Sequence, residues 1–322
     1  MGAMRHDSRI YVAGHRGLAG SALVRQLNAK GYHNLLVRTH SELDLTEQGA
    51  VHDFFAQENP EYVFLAAAKV GGIYANNAYP VEFLMSNLLI EANVCRAAYS
   101  TQVRRLIFLG SSCIYPRDCP QPIKEEYLLT GPLESTNRAY ALAKIAGVEM
   151  CWSYNREYGT KWLAAMPTNL YGPGDNYDLN NAHVLPALIR KMHEAKVSGA
   201  GEVVLWGSGK PRREFLYVDD LANALVFLAT LDDERYNTLV APTQCPLINV
   251  GTGADLTIRE LAETIADVVG YRGKFMQDPS KPDGTMRKVL DVGKMQGLGW
   301  KAKTSLKEGI HLTYKIFSEP QL

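Results

Sequence analysis

Ile10-Tyr11-Val12-Ala13-Gly14-His15-Arg16-Gly17-Leu18-Ala19-Gly20 is the stretch on which the reading of the fold turns. Ile10–Ala13 make a short apolar strand. Glycines at G-x-x-G-x-x-G spacing follow, and a helical pattern then runs through Leu27. Without side chains, a glycine loop lets the backbone approach an anionic group. The helix that starts there offers unpaired N–H groups and the positive end of its dipole. A plain turn would hold the same glycines, so the flanking elements decide.

Outward from this loop, strand-like and helix-like runs alternate. Leu35–Arg38 reads as a strand and Val51–Glu58 as a helix. Tyr62–Ala67 is a buried strand and Val81–Tyr99 a long helix. Leu106–Leu109, Arg138–Tyr158 and Trp162–Met166 continue the series. Strands separated by helices of this length imply right-handed crossovers and a parallel sheet. From Tyr171 to Asn181, Asn, Asp, Gly and Pro cluster as a loop. Beyond it come a helix over Leu185–Ala195, a strand-turn-helix over Phe215–Thr230 and a strand at Ile248–Val250. The expected class is α/β: a Rossmann-type doubly wound parallel sheet with a smaller, discontinuous α/β substrate domain. Residues 8–175 with about 214–254 are assigned to the nucleotide-binding domain, and about 176–213 with 255–322 to the other.

The 322 residues are 46% hydrophobic and 21% charged, an ordinary composition for a globular protein. Lys+Arg and Asp+Glu both count 34, so no basic excess points to nucleic acid. No segment approaches ~20 consecutive apolar residues, and no membrane partner is expected. The start, Met1–Arg9, is short and polar and does not read as a signal peptide. Five scattered cysteines without a C-x-x-C suggest neither a metal site nor disulfides. A cytoplasmic location is the expectation.

The second strand ends at Val37-Arg38, where NAD enzymes commonly place an acidic residue against the ribose hydroxyls. Here Arg38 stands there, His40 follows, and Arg16 adds a cation within the glycine loop. A guanidinium suits a 2′-phosphate, which favours NADP(H) over NAD. Arg38 as a solvated surface residue remains the alternative. Asp44 and Leu45 would lie near the adenine.

Tyr140-Ala141-Leu142-Ala143-Lys144 is Y-x-x-x-K on a helical stretch, which puts both side chains on one face. An ammonium near a phenol favours the phenolate and is expected to lower a pKa that starts near ~10. By itself such a pair is common on surfaces. Ser111, in Gly110-Ser111-Ser112-Cys113-Ile114-Tyr115-Pro116, follows a strand and offers a hydroxyl to a carbonyl oxygen beside Tyr140. Glycine loop, serine motif and Y-x-x-x-K, in this order, resemble the short-chain dehydrogenase/reductase family. Pro167-Thr168-Asn169-Leu170-Tyr171-Gly172-Pro173 and Arg213-Glu214-Phe215-Leu216-Tyr217-Val218-Asp219-Asp220 resemble its extended, nucleotide-sugar branch. The resemblance implies a cofactor site of Gly14, His15, Arg16, Gly17, Leu18, Gly20, Arg38, His40, Asp44, Leu45, Ala67, Leu109, Gly110, Ser111, Ser112, Tyr140, Lys144, Pro167, Thr168, Asn169, Leu170 and His183.

Four longer motifs narrow the branch. They are Ala66–Ile73, Gly110–Pro116, Asn181–Pro186 and Lys281–Lys288. They are similar to those of enzymes that take GDP-4-keto-6-deoxy-mannose, epimerise C3 and C5, and then reduce C4 with NADPH. The 4-keto group acidifies the C–H bonds at C3 and C5, and each inversion needs a base on one face and an acid on the other. By resemblance Cys113 is the base and His183 the acid, while Ser111 and Tyr140 stabilise the oxyanion at C4. Without that context, Cys113 reads as a small buried hydrophobe and His183 as a surface residue. Asn169, Val184, Lys191, Trp206, Arg213, Asp283 and Lys288 fall where the family places substrate contacts. Trp206 either stacks or packs in a core, and Lys191 and His40 stand where relatives can carry Arg. Cys119 and Cys151 have no derived role. The two long helices imply a homodimer, by analogy with relatives. The rivals are another 4-reductase or 4-epimerase on a different nucleotide sugar, and a non-catalytic NADP-binding protein. The presence of Ser111, Tyr140 and Lys144 speaks against the latter.

Overall fold

The structure, a computed structural model, describes residues 4–179, 181–280 and 283–319. Met1 to Ala3, Asn180, and Lys281 and Pro282 of the last motif lie outside the described residues. The first half runs β1 (Ile10–Ala13), α1 (Leu18–Ala29), β2 (Leu35–Leu36), α2 (Gln48–Glu58), β3 (Tyr62–Leu65), α3 (Ile73–Ala78), α4 (Pro80–Ser100), β4 (Arg105–Leu109), α5 (Arg138–Tyr158) and β5 (Trp162–Pro167). Then follow β6 (Asn169–Tyr171), α6 (Val184–Ser198), β7 (Glu202–Trp206), β8 (Arg212–Arg213), β9 (Phe215–Tyr217), α7 (Val218–Thr230), α8 (Asp233–Leu239) and β10 (Leu247–Val250). The chain closes with β11 (Leu256–Thr257), α9 (Ile258–Val269), β12 (Lys274–Asp278), β13 (Arg287–Lys288), α10 (Gly293–Gly297) and α11 (Leu306–Ser318).

Six strands form one sheet in the order β10-β5-β4-β3-β1-β2, and every pairing in it is parallel. Both faces are covered, which is why its strands read as unbroken apolar runs. Alternation assigns the faces. Ile10 and Val12 join the core with α1 and α7, while Tyr11 and Ala13 join the one with α2, α4 and α5. Strand order reverses between β1 and β3, so a crevice opens at their carboxyl ends. The glycine loop lies there. β2 is shorter than the expected Leu35–Arg38, because Arg38 turns its guanidinium onto the Val37 carbonyl (2.8 Å) and leaves the ladder.

The two long helices have identifiable ends. α4 starts with Pro80 at its first turn, and α5 stops at Gly159, whose positive φ suits a left-handed cap. Together they present an outer apolar stripe: Val81, Met85 and Leu89 at helical spacing, with Tyr99, Leu142 and Tyr158, all exposed.

A third core joins α6, α9, α11 and β7 through Leu185, Ile189, Val203, Leu205, Leu261, Ile265 and Ile310. Two small sheets flank it, β7 with β12 and β8 between β11 and β13. Glu214 ties this region to the large sheet. Fully buried, it accepts bonds from the backbone N–H groups of Thr252 (2.6 Å), Gly253 (2.7 Å) and Leu290 (2.8 Å).

Candidate active site

The glycine loop is shaped for close approach. Gly14 has φ +82°, and a Cβ there would lie 2.7 Å from the Ala67 nitrogen. A Cβ on Gly20 would lie 2.1 Å from the Gly14 carbonyl oxygen. Gly17 caps α1 with no side-chain bond, so the first N–H groups of the helix stay available to a phosphate. His15 Nδ1 in the same loop is buried without a partner. These residues fit a dinucleotide pyrophosphate. Leu18 is half-buried beside them.

The adenine end is less simple than expected. Arg38 is paired with Glu58 at 2.5 Å and lies 5.2 Å from the Phe54 ring centroid. A 2′-phosphate would share Arg38 with that carboxylate. Arg16 and His40 are exposed, and His40 lies 3.8 Å from Asp44. Asp44 is held by the backbone N–H and hydroxyl of Thr46, which keep its carboxyl below the usual range. Leu45 is buried.

The ends of β4 and β5 supply the next layer. Gly110 faces the Met166 side chain, and Ser112 is buried. Pro167 and Thr168 are buried too, with Leu170 half-buried. Thr168 Oγ1 (3.2 Å) and Asn169 Nδ2 (2.8 Å) both donate to the Glu214 carbonyl. That fixes the segment after β5.

Ser111 caps a short 3-10 turn, Ser112–Ile114, and its Oγ accepts the Cys113 N–H at 3.4 Å. This turn brings Cys113 beside Tyr140, whose ring meets Phe83 edge-on at 6.4 Å. Burial pushes the Tyr140 phenol well above its ordinary value. Cys113 and Glu91 add to the rise, and a hydrogen bond from Ser111 opposes it. The expectation of a lowered phenol is therefore reversed. Lys144 is 5.9 Å from the ring centroid and has its own carboxylate partner, Glu91. A phenol held protonated is a proton donor, the form that a reduction requires. Lys144 Nζ donates to the Leu109 carbonyl at 3.1 Å.

His183 caps α6 with its backbone, and Val184 begins that helix. His183 is open to solvent, yet protein surrounds it as in a cleft, and this lowers its pKa. It makes no hydrogen bond to the Cys113 or Tyr140 side chains among the described residues.

The residues expected to contact the substrate cluster around β7, β8 and β13. Arg213 and Lys288 are register partners in parallel strands. Arg213 donates to its neighbouring Arg212 carbonyl (2.8 Å) and to the Thr285 carbonyl. Burial lowers its pKa, and Asp283 opposes that shift. Burial likewise lowers Lys288, with the field of Cys113 opposing, so Lys288 links this cluster to the chemistry. Asp283 accepts the Ser208 N–H (2.9 Å) and hydroxyl (2.6 Å). Lys191 Nζ lies 5.0 Å from the Trp206 ring centroid and donates to the Val204 carbonyl at 3.3 Å. Trp206 is 57% exposed, which excludes its reading as core.

The sequence motifs give three polar residues of this region no role. They are Glu91 on α4, Asn137 at the start of α5 with an unpartnered buried Oδ1, and Glu214. For Glu91 a signal existed: an acidic residue inside the apolar run Leu88-Leu89-Ile90-Glu91-Ala92.

A glycine loop at a topological switch point, with Ser, Tyr and Lys converging beside it, defines a nucleotide-dependent oxidoreductase of the epimerase type. The chain belongs to the NAD dependent epimerase/dehydratase family, whose model matches residues 10–240. It is 56% identical over 312 residues to a probable GDP-L-fucose synthase 1 of Oryza sativa subsp. japonica, covering 97% of this chain and 92% of that relative. It is 54% identical over 313 residues to the GDP-L-fucose synthase of Escherichia coli (strain K12), covering 97% of each. Among solved structures it is similar to a GDP-mannoheptose C4 reductase from Campylobacter jejuni with NADP bound. There the TM-score is 0.90 and the identity 40%, over 98% of this chain and 100% of that one.

Proposed function

We infer that the chain is an NADP-dependent oxidoreductase with epimerase activity. It inverts C3 and C5 of GDP-4-keto-6-deoxy-D-mannose and reduces C4, giving GDP-L-fucose. One observation carries this reading. Cys113, a base that a plain C4 reduction does not need, stands in the same turn as Ser111 and beside Tyr140, within the field of Lys288.

The 4-keto group makes the protons at C3 and C5 removable. Cys113 takes each proton from one face of the ring. His183, whose pKa the surrounding protein lowers, supplies a proton on the other face. Ser111 and Tyr140 hold the oxygen at C4 as charge develops on it. NADPH, when bound, supplies the hydride that C4 receives. Tyr140 then gives its hydroxyl proton to that oxygen, with Lys144 orienting the phenol. Arg213 and Lys288 neutralise the diphosphate, and Trp206 with Lys191 receives the base. Arg16, His40 and a shared Arg38 receive the 2′-phosphate. Residues 8–175 with about 214–254 hold the cofactor, and the remainder holds the sugar nucleotide. The separate core around α6 and α9 supports that division.

The apolar stripe of α4 and α5 pairs with its copy in a second chain, making a homodimer. Six exposed apolar side chains on two adjacent helices support this. The five cysteines are free, which fits a reducing compartment such as the cytoplasm. No helix of the described residues is long and apolar enough to cross a membrane.

The test is turnover in heavy water with NADPH and GDP-4-keto-6-deoxy-mannose, with the product read by NMR. NADPH loss with deuterium at C3 and C5 is the expected outcome. Consumption without deuterium would make the chain a plain reductase and remove the roles of Cys113 and His183. No consumption would overturn the substrate.

A further inference from the structure

Glu91 lies in the middle of α4 and is 1% exposed. A carboxylate so placed is costly unless it is paired. Its partner is Lys144 of α5, equally buried, 3.3 Å away. Neither Glu91 oxygen makes a well-aligned hydrogen bond. The contact is therefore one of charge more than of direction.

The space for this carboxylate is built into the opposite helix. Gly147 lies one turn beyond Lys144. A Cβ there would stand 2.9 Å from Glu91 Oε2 and 2.3 Å from the Phe108 ring. The Phe108 ring centroid lies 4.6 Å from the Lys144 ammonium. The Leu109 carbonyl, on the same strand, takes an ammonium proton at 3.1 Å. Carboxylate, carbonyl and ring face thus converge on one nitrogen from α4 and β4.

We propose that Glu91 is a positioning residue for the reduction: its carboxylate fixes and neutralises Lys144, and so sets the charge that the Tyr140 hydroxyl experiences. This rests on the reading of Tyr140 and Lys144 as the reducing pair. Glu91 touches neither substrate nor cofactor and acts through Lys144.

The titratable groups facing Glu91 are Lys144, Tyr140 and Cys151 from α5 and Cys95 on its own helix. Burial raises Cys95 and Cys151, which stay neutral thiols. Burial also pushes Glu91 up to about 7, with Lys144 opposing. Below that pH the side chain holds a proton and resembles glutamine. Above it the side chain carries charge and holds Lys144 in place beside the phenol.

The experiment compares Glu91→Gln with the wild type across pH. The two should share one kcat below about pH 6. By about pH 8.5, Glu91→Gln should fall roughly ten-fold behind, because Lys144 without its carboxylate no longer holds its place beside the phenol. KM for the sugar nucleotide should not move. Glu91→Asp, which keeps the charge, should recover most of the rate at high pH.

Melting of the cofactor-free protein gives a second readout. The folded pKa of Glu91 is raised, so wild-type stability is lost as pH rises from about 4.5 to about 7. The melting temperature of the wild type relative to Glu91→Gln should fall through that window. A kcat ratio constant with pH, or a flat melting difference, would overturn the proposal. If the wild type itself consumed no NADPH on this sugar nucleotide, the substrate reading would fail. The melting series would still show whether Glu91 titrates as the proposal requires.

Discussion

Lys144 and Lys191 carry the same ammonium, and the molecule treats them in opposite ways. Lys144 projects from a 21-residue helix into the sheet, 1% exposed, between a carboxylate and a backbone carbonyl. Lys191 lies half-exposed on α6 against a Trp206 ring that is itself 57% exposed, beside a sheet of only two strands. The reacting end of the cleft is fixed by the core, and the recognising end is left able to adjust. Catalysis needs sub-ångström placement, whereas recognition of a nucleotide tolerates motion. A lower kcat is therefore expected from changes on one side and a higher KM from changes on the other.

Tyr140→Phe is the largest break available. It removes only the hydroxyl proposed to protonate the C4 oxygen, so kcat should fall about 10²–10⁴-fold, the usual worth of a positioned acid. The melting temperature should stay close to that of the wild type, since the ring keeps its contact with Phe83. A comparable fall in kcat for Lys191→Ala would erase the contrast.

Gly20→Ala probes the cofactor side of the rigid end. The new methyl would meet backbone, the Gly14 carbonyl at 2.1 Å and the His15 Cα at 2.9 Å, so no flexible side chain can yield. Overpacking of this kind costs about 1–3 kcal/mol, and the loop must shift. NADPH affinity should fall by roughly ten-fold or more, measured by quenching or calorimetry. Unchanged affinity would show that the loop geometry is slack after all.

The same contrast decides what could be read from sequence. The glycine loop and Tyr140–Lys144 were legible because their chemistry demands a local spacing, a turn in one case and one helical face in the other. The parallel sheet was legible because strands covered on both faces are unbroken apolar runs. Arg38 was legible as a cation and not as a pair, since Glu58 reaches it from the far end of the next helix. The phenol shift was misjudged for a similar reason. Helical spacing places Lys144 near Tyr140, but it cannot show that Glu91 pairs with Lys144 or that burial dominates. Trp206, Asp283 and Lys288 sit on short strands and loops, where no periodicity singles them out, and the apolar periodicity of α6 marks Leu185, Ile189 and Met192 but not Lys191.

Trp206→Ala is the smallest effect and the sharpest test of the adjustable end. Loss of an aromatic platform under a base costs about 1–3 kcal/mol in nucleic-acid systems. A ring this exposed should stand at the lower limit, because the free protein leaves it in water and binding must order it. A roughly five-fold rise in KM for the sugar nucleotide follows from that limit, with kcat unchanged. The melting temperature should hardly move, because little of the ring is withdrawn from solvent and truncation opens no cavity. A lower kcat at unchanged KM would place Trp206 with the reacting groups, and the division between a rigid and an adjustable end would then run elsewhere than between α5 and α6.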